Sequence, residues 1–330
     1  MKHFRKILFV YDPGSEETAA FERAVHLAEI NQASLKLLQV LEDFPPQMQM
    51  TDMASALPEL QKQVHQEATD ALKKAISQVK EKGIKVSSEV LWGTPFIEII
   101  REVLRNDHDL VMVIPRKTSR VEEALFGSRI MHLMRKCPVP VWAFNPELPK
   151  QHGRIMAAVD VVPEDDKRNA LNVRIMELGS SLALMDQSEF HVIYCWDLTY
   201  ENTLRNRSGL SQEAVSNILD KAKASHRQWL KALVTPFATK AFTPKIHLQE
   251  GEPGEGIPHF AEKKKIDLVV MGTVVRTGLS GFPDREYGRE DPSQDPQFGS
   301  CGEAGRISNT RDTGLIRTPP IRFFQSLMAS

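Results

Sequence analysis

The chain has 330 residues, with 42 Lys and Arg against 43 Asp and Glu and a hydrophobic fraction of 41%. At about 100–200 residues per domain, this length suggests two domains, each able to bury its own core. The near-zero charge balance argues against nucleic-acid binding through a broad basic face, and the scattered Cys137, Cys195 and Cys301 form neither a disulfide framework nor a zinc ligand set.

The N-terminal MKHFRKILFVYD reads as a strand over about 5–12, because its apolar run is short and ends in Asp12. No run reaches membrane-spanning length, so the expectation is a cytoplasmic protein with no membrane partner. Further strands are expected at about 34–41, 84–91, 108–114 and 139–144, with helices at about 16–31, 58–82, 94–106 and 122–136. Beyond the NPELPKQH linker, strands are expected at about 153–160, 189–196, 242–249 and 266–271, and helices near 165–186, 211–235 and 255–264. Short apolar runs alternating with helical periodicity predict βαβ units and a parallel sheet, covered by helices on both faces.

The chain repeats itself. RKILFVYD (Arg5 to Asp12) recurs as GRIMAAVD (Gly153 to Asp160), and HDLVMVIP (His108 to Pro115) as IDLVVMGT (Ile266 to Thr273). Gly93 of LWGTP matches Gly251 of QEGEP at the same offset of 158 residues, whereas the first match has an offset of 148. The copies are therefore residues 1–145 and 153–282, joined by a linker at 146–152.

The order of these motifs, with CPVPV closing copy one, resembles the tandem universal stress protein family over residues 3–282. The resemblance implies two tandem doubly wound parallel-sheet α/β domains that pair as an intramolecular pseudo-dimer through their last strands, with further homo-oligomers open. It also implies a role in stress resistance, with ATP bound by some members and not by others.

Ligands of such sheets sit beyond the carboxyl ends of the strands at the topological switch point. The candidates there are Asp12 and Asp160 after the first strands, Gly251, and the run Gly272, Thr273, Arg276, Thr277 and Gly278, in which glycines would admit phosphate and Arg276 would supply charge. The alternative for both aspartates is capping the next helix or closing a turn. ATP-binding members of the family carry G-x2-G-x9-G-[ST] at this place. Val275 stands where the second glycine should be, and copy one has Ile114-Pro115-Arg116-Lys117, keeping only Gly127 and Ser128. A branched side chain does not readily take positive φ, so the ATP-type motif reads as degraded in both copies. No metal set or covalent nucleophile is evident, and His108, His191, His247 and His259 read as structural or surface residues.

Copy two stops short of its last helix and strand. Residues 283–330 hold six arginines and no lysine, and 15 of these 48 residues are Gly, Pro or Ser, which reads as an irregular tail. Codons for Gly281–Asp291 read one base later permit G-F-L-I-G-N-T-A-E-K-I, placing a glycine at 285, again 158 residues after Gly127. That coincidence favours a shifted reading frame over a native tail. As printed, the chain leaves the second sheet with an unpaired edge.

The sequence thus supports a non-enzymatic ligand-binding and interaction module. A slow ATP hydrolase using copy two and a purely structural partner-binding protein are the alternatives. No cofactor is assigned beyond ATP or another small ligand in copy two.

Overall fold

The computed structural model describes residues 3–13, 18–45, 48, 55–115, 127–145, 152–196, 211–272 and 321–325. The first copy contains β1 (Lys6–Val10), α1 (Ala19–Asn31), β2 (Ser34–Leu41), α2 (Leu57–Lys80), β3 (Val86–Trp92), α3 (Pro95–Asn106), β4 (Leu110–Val113), α4 (Gly127–Lys136) and β5 (Val141–Ala143). The second contains β6 (Arg154–Ala158), α5 (Asp166–Asp186), β7 (Glu189–Trp196), α6 (Gln212–Val234), β8 (Lys245–Glu250), α7 (Pro253–Lys264) and β9 (Leu268–Gly272). A last strand, β10, spans Ile321–Gln325.

The strands form one sheet in the order β3-β2-β1-β4-β5-β10-β9-β6-β7-β8. Within each copy every neighbouring pair is parallel, as the unbroken apolar runs require. The edge expected to be open is covered. Where a fifth strand of copy two would stand, the tail segment Ile321–Gln325 pairs parallel with β5 and antiparallel with β9. Its direction is the reverse of that of a copied fifth strand, which would run parallel to β9 as β5 does to β4.

The repeat is also a repeat of structural roles. The Asp109 carboxylate accepts the backbone N–H groups of Arg5 and Lys6 at 2.7 and 3.0 Å, and Asp267 does the same for Gly153 and Arg154 at 2.7 and 2.8 Å. These aspartates tie the start of each fourth strand to the start of the first. Gln32 and Gln187 end α1 and α5 in the left-handed region (φ 53° and 55°), and Asp107 and Lys265 end α3 and α7 likewise (φ 54° and 51°). Lys263 and Lys264 lie in the last turn of α7, where cations complement the helix dipole.

On one face of the sheet a single apolar core runs through both copies. It joins Ile7, Phe9, Trp142 and Phe144 to Ile155, Ala157 and Phe190 beneath α1, α2, α5 and α6. On the other face each copy has its own core, Leu8, Val111 and Val141 in the first and Met156, Ile193 and Phe260 in the second. A buried ion pair crosses the shared face. The Arg23 guanidinium of α1 grips the Asp186 carboxylate of α5 through two hydrogen bonds of 2.7 and 2.9 Å, and the His152 imidazole lies 2.8 Å from the same carboxylate. Arg23 also stacks over the Trp142 ring, 5.5 Å from its centroid. Burial works to raise the Asp186 carboxyl, but the hydrogen bonds from His152 and Arg23 outweigh it and hold the group below its ordinary value.

Candidate functional site

From β6 the chain passes through α5 to β7 on one side, while β9 lies on the other, so the switch point of the second copy is at the carboxyl ends of β6 and β9. Asp160 follows β6 by two residues, and Gly272 ends β9 one step past the Ala158–Met271 register pair. The fold therefore brings these two candidates to one end of adjacent strands.

The Asp160 carboxylate is half exposed and accepts a 2.9 Å hydrogen bond from Arg168 Nη1. Its backbone is clamped by Asn172, which accepts from the Asp160 N–H at 3.1 Å and donates to the Asp160 carbonyl at 2.8 Å. Capping of α5 falls to Asp165, whose carboxylate accepts the Arg168 backbone N–H at 3.0 Å, so Asp160 is released from that duty. In copy one, Asp12 follows β1 half buried, and Thr18 caps α1.

An aromatic group stands on the neighbouring strand and helix. The Tyr194 hydroxyl donates to the Val161 carbonyl at 3.1 Å and lies 3.0 Å from His226 Nδ1. The His226 ring stacks on Trp196 at 4.8 Å and meets Trp229 edge-on at 4.9 Å. Burial, and after it the charge of Asp160, push the Tyr194 hydroxyl up to about 12. Trp196 Nε1 is buried without a hydrogen-bond partner among the described residues. On the opposite face of β7, burial pushes the Cys195 thiol up to about 11, which leaves it a poor nucleophile at neutral pH.

Two of the candidate glycines have backbone or packing reasons of their own. Gly251 has φ 115° and donates its N–H to the Trp196 carbonyl at 3.0 Å, as Gly93 (φ 135°) does to Leu41 at 2.9 Å. Both turns need a residue without a side chain. A Cβ on Gly272 would strike the Leu171 side chain of α5, lying 3.0 Å from its Cγ. Gly272→Ala should therefore cost about 1–3 kcal/mol by overpacking, read as a lowered urea midpoint. Thr273, Arg276, Thr277 and Gly278 lie outside the described residues. Gly127 and Ser128 open α4 in copy one.

The family model for the universal stress protein family matches residues 3–145 and again 152–284. The chain belongs to the universal stress protein family. Among curated members, Universal stress protein E of Salmonella typhi is 29% identical over 283 residues, covering 85% of this chain and 88% of that protein. Universal stress protein E of Escherichia coli K12 is 28% identical over 282 residues, with the same coverage. Among solved structures, a putative universal stress protein from Pseudomonas aeruginosa UCBPP-PA14 superposes with a TM-score of 0.59 at 24% identity, covering 85% of this chain and 86% of that one. A universal stress protein from Archaeoglobus fulgidus does so at 0.53 and 16%, covering 81% and 86%. This universal stress protein is thus a tandem member that matches most of the length of these relatives.

Sequence reasoning missed Arg168, Asn172 and the Tyr194, Trp196, His226 and Trp229 group. Only the spacing of His226 and Trp229, three apart on α6 and so on one helix face, was a readable signal.

Proposed function

We propose that this universal stress protein acts in the cytoplasm as a non-enzymatic ligand-binding and interaction module of stress resistance. Its second domain holds a small molecule and its first serves as the internal pseudo-dimer partner. The observation that carries this reading is the occupancy of the switch point by the protein's own groups. Arg168, shared with Asp165, engages Asp160, the carboxylate that would otherwise receive the hydroxyls or amine of a nucleotide, and Leu171 accounts for the first glycine of the motif. Tyr194, which feels the Asp160 charge and lies against His226, links this end of the sheet to the half-buried rings of His226 and Trp229, which suit a flat or apolar ligand.

A hydrolase would need a group that positions or activates water, and none is assigned that role in this reading. The test is phosphate release from ATP by the purified full chain, run beside identification of any small molecule released on denaturation. A released molecule without turnover is expected. Phosphate release abolished by Asp160→Asn would favour the slow hydrolase, and neither signal would favour the purely structural protein. Arg168→Ala should free Asp160 and raise nucleotide affinity about fivefold or less, since a half-exposed ion pair is worth about 0–1 kcal/mol. Calorimetric titration with ATP checks this.

A further inference from the structure

The two copies fill one equivalent place, beneath the outer helix at the edge of the sheet, with different chemistry. In copy one, Lys36 of β2 donates to Glu89 of β3 and to Glu102 of α3, each at 2.6 Å. Glu102 is fully buried and also meets His108 Nε2 at 3.0 Å and Asn106 Nδ2 at 2.8 Å. The strand registers place His191 of β7 where Lys36 stands and His247 of β8 where Glu89 stands. Phe260 of α7 takes the place of Glu102.

His191 Nδ1 and His247 Nε2 lie 3.0 Å apart, with the rings nearly parallel at 14°. The Phe260 ring covers both, 4.5 Å from His247 and 6.3 Å from His191. One N–H joins the two rings, so the pair is complete when neutral or singly protonated. A second proton sets two N–H donors against each other in a half-buried place. The surroundings do not welcome it. Lys245 of β8, Arg154 of β6 and Lys264 of α7 bear on the pair. The opposing anion is Glu189 of β7, 3.4 Å from His191 Nε2 and already held by Lys245 at 2.9 Å and Arg154 at 3.3 Å. Cys195, farther along the same face, stays neutral.

We propose that the His191–His247 pair is an acid-sensitive clasp. It holds β8 and α7 to the second half of the sheet, so that acidification opens this edge while the matching edge of the first domain stays closed. Burial lowers both histidines from 6.5, His247 to about 4. A lowered histidine contributes stability that is complete above the unfolded value of 6.5, declines below it, and is gone once pH passes the folded value near 4. In copy one, burial opposes ionisation of Glu102, but hydrogen bonds from Lys36 and His108 outweigh it and hold the carboxyl below 4.5. That contribution is lost only as pH falls through the depressed carboxyl value, so the first edge outlasts the second.

Hydrogen-exchange mass spectrometry on the full chain, corrected for intrinsic exchange, tests the clasp between neutral pH and the value near 4 where His247 titrates. Peptides from β8 and α7 should lose about tenfold or more of their protection, while those from β3 and α3 keep theirs. The double variant His191→Phe/His247→Leu should abolish the acid-dependent loss. Equal loss at both edges, or unchanged acid opening in the variant, would overturn the proposal. If the variant does not fold, histidine-ring NMR titration of the native chain decides: midpoints well below 6.5 for both rings support the clasp, and ordinary midpoints overturn it.

Discussion

Asp186→Ala should cost about 3–5 kcal/mol of stability, because it strands the Arg23 guanidinium in the shared core. Arg23 and Asp186 are only 4% and 2% exposed, so water cannot replace the lost partner. His152 loses its hydrogen-bond partner in the same substitution. Urea unfolding of the full chain measures the loss. The double variant Arg23→Met/Asp186→Leu should recover most of it, since an apolar pair escapes the desolvation cost that the ion pair must overcome. The pH dependence has a definite sign. Asp186 is held below its ordinary value in the fold, so its contribution is present above the unfolded carboxylate pKa of about 3.9 and is lost as pH falls through the depressed one. Above that window the native chain and the Arg23→Met/Asp186→Leu variant should show parallel stability profiles.

Removal of residues 321–330 should convert a single chain into an associating one. The strand Ile321–Gln325 pairs with Leu268–Gly272 on one side and with Val141–Ala143 on the other, and its loss exposes two strand edges at once. At about 0.5–1.5 kcal/mol for each net hydrogen bond, the truncation should remove several kcal/mol. Val141, Trp142 and Ala143 are all buried, so the edge uncovered on β5 is apolar and prone to pair with another chain. Light scattering after size exclusion should find dimers or larger species, and the thermal midpoint should fall. A truncated chain that stays monomeric with an unchanged midpoint would remove β10 from the structural account.

The parts of this fold that were legible in the sequence are those in which local pattern and long-range role coincide. The run Ile7–Val10 and its duplicate Ile155–Ala158 are apolar on both faces and became central strands, and Pro95 stands at the first turn of α3, whereas α7 begins at Pro253, two residues before its expected start. The equivalence of Gly93 and Gly251 followed from constant spacing, and both have positive φ. Strand β10 escaped because Ile321–Gln325 is only five residues long, is interrupted by Arg322 and has no repeat partner, and pairing across the chain, not local pattern, makes it a strand. At the candidate site Asp160 and Gly272 were visible as motif positions. Arg168 and Asn172 were not, because only the packing of α5 against β6 brings them to Asp160. The histidines that read as structural or surface residues include His191 and His247, 56 residues apart in sequence and hydrogen-bonded across adjacent strands.

Native mass spectrometry of the full chain, expressed from its own gene and sprayed with millimolar Mg-ATP, bears most directly on the claim of a ligand-holding domain without a grip on ATP. The account predicts no specific nucleotide adduct and the release of a different small molecule on denaturation. An ATP adduct that survives in the native chain and disappears in Asp160→Asn would contradict it.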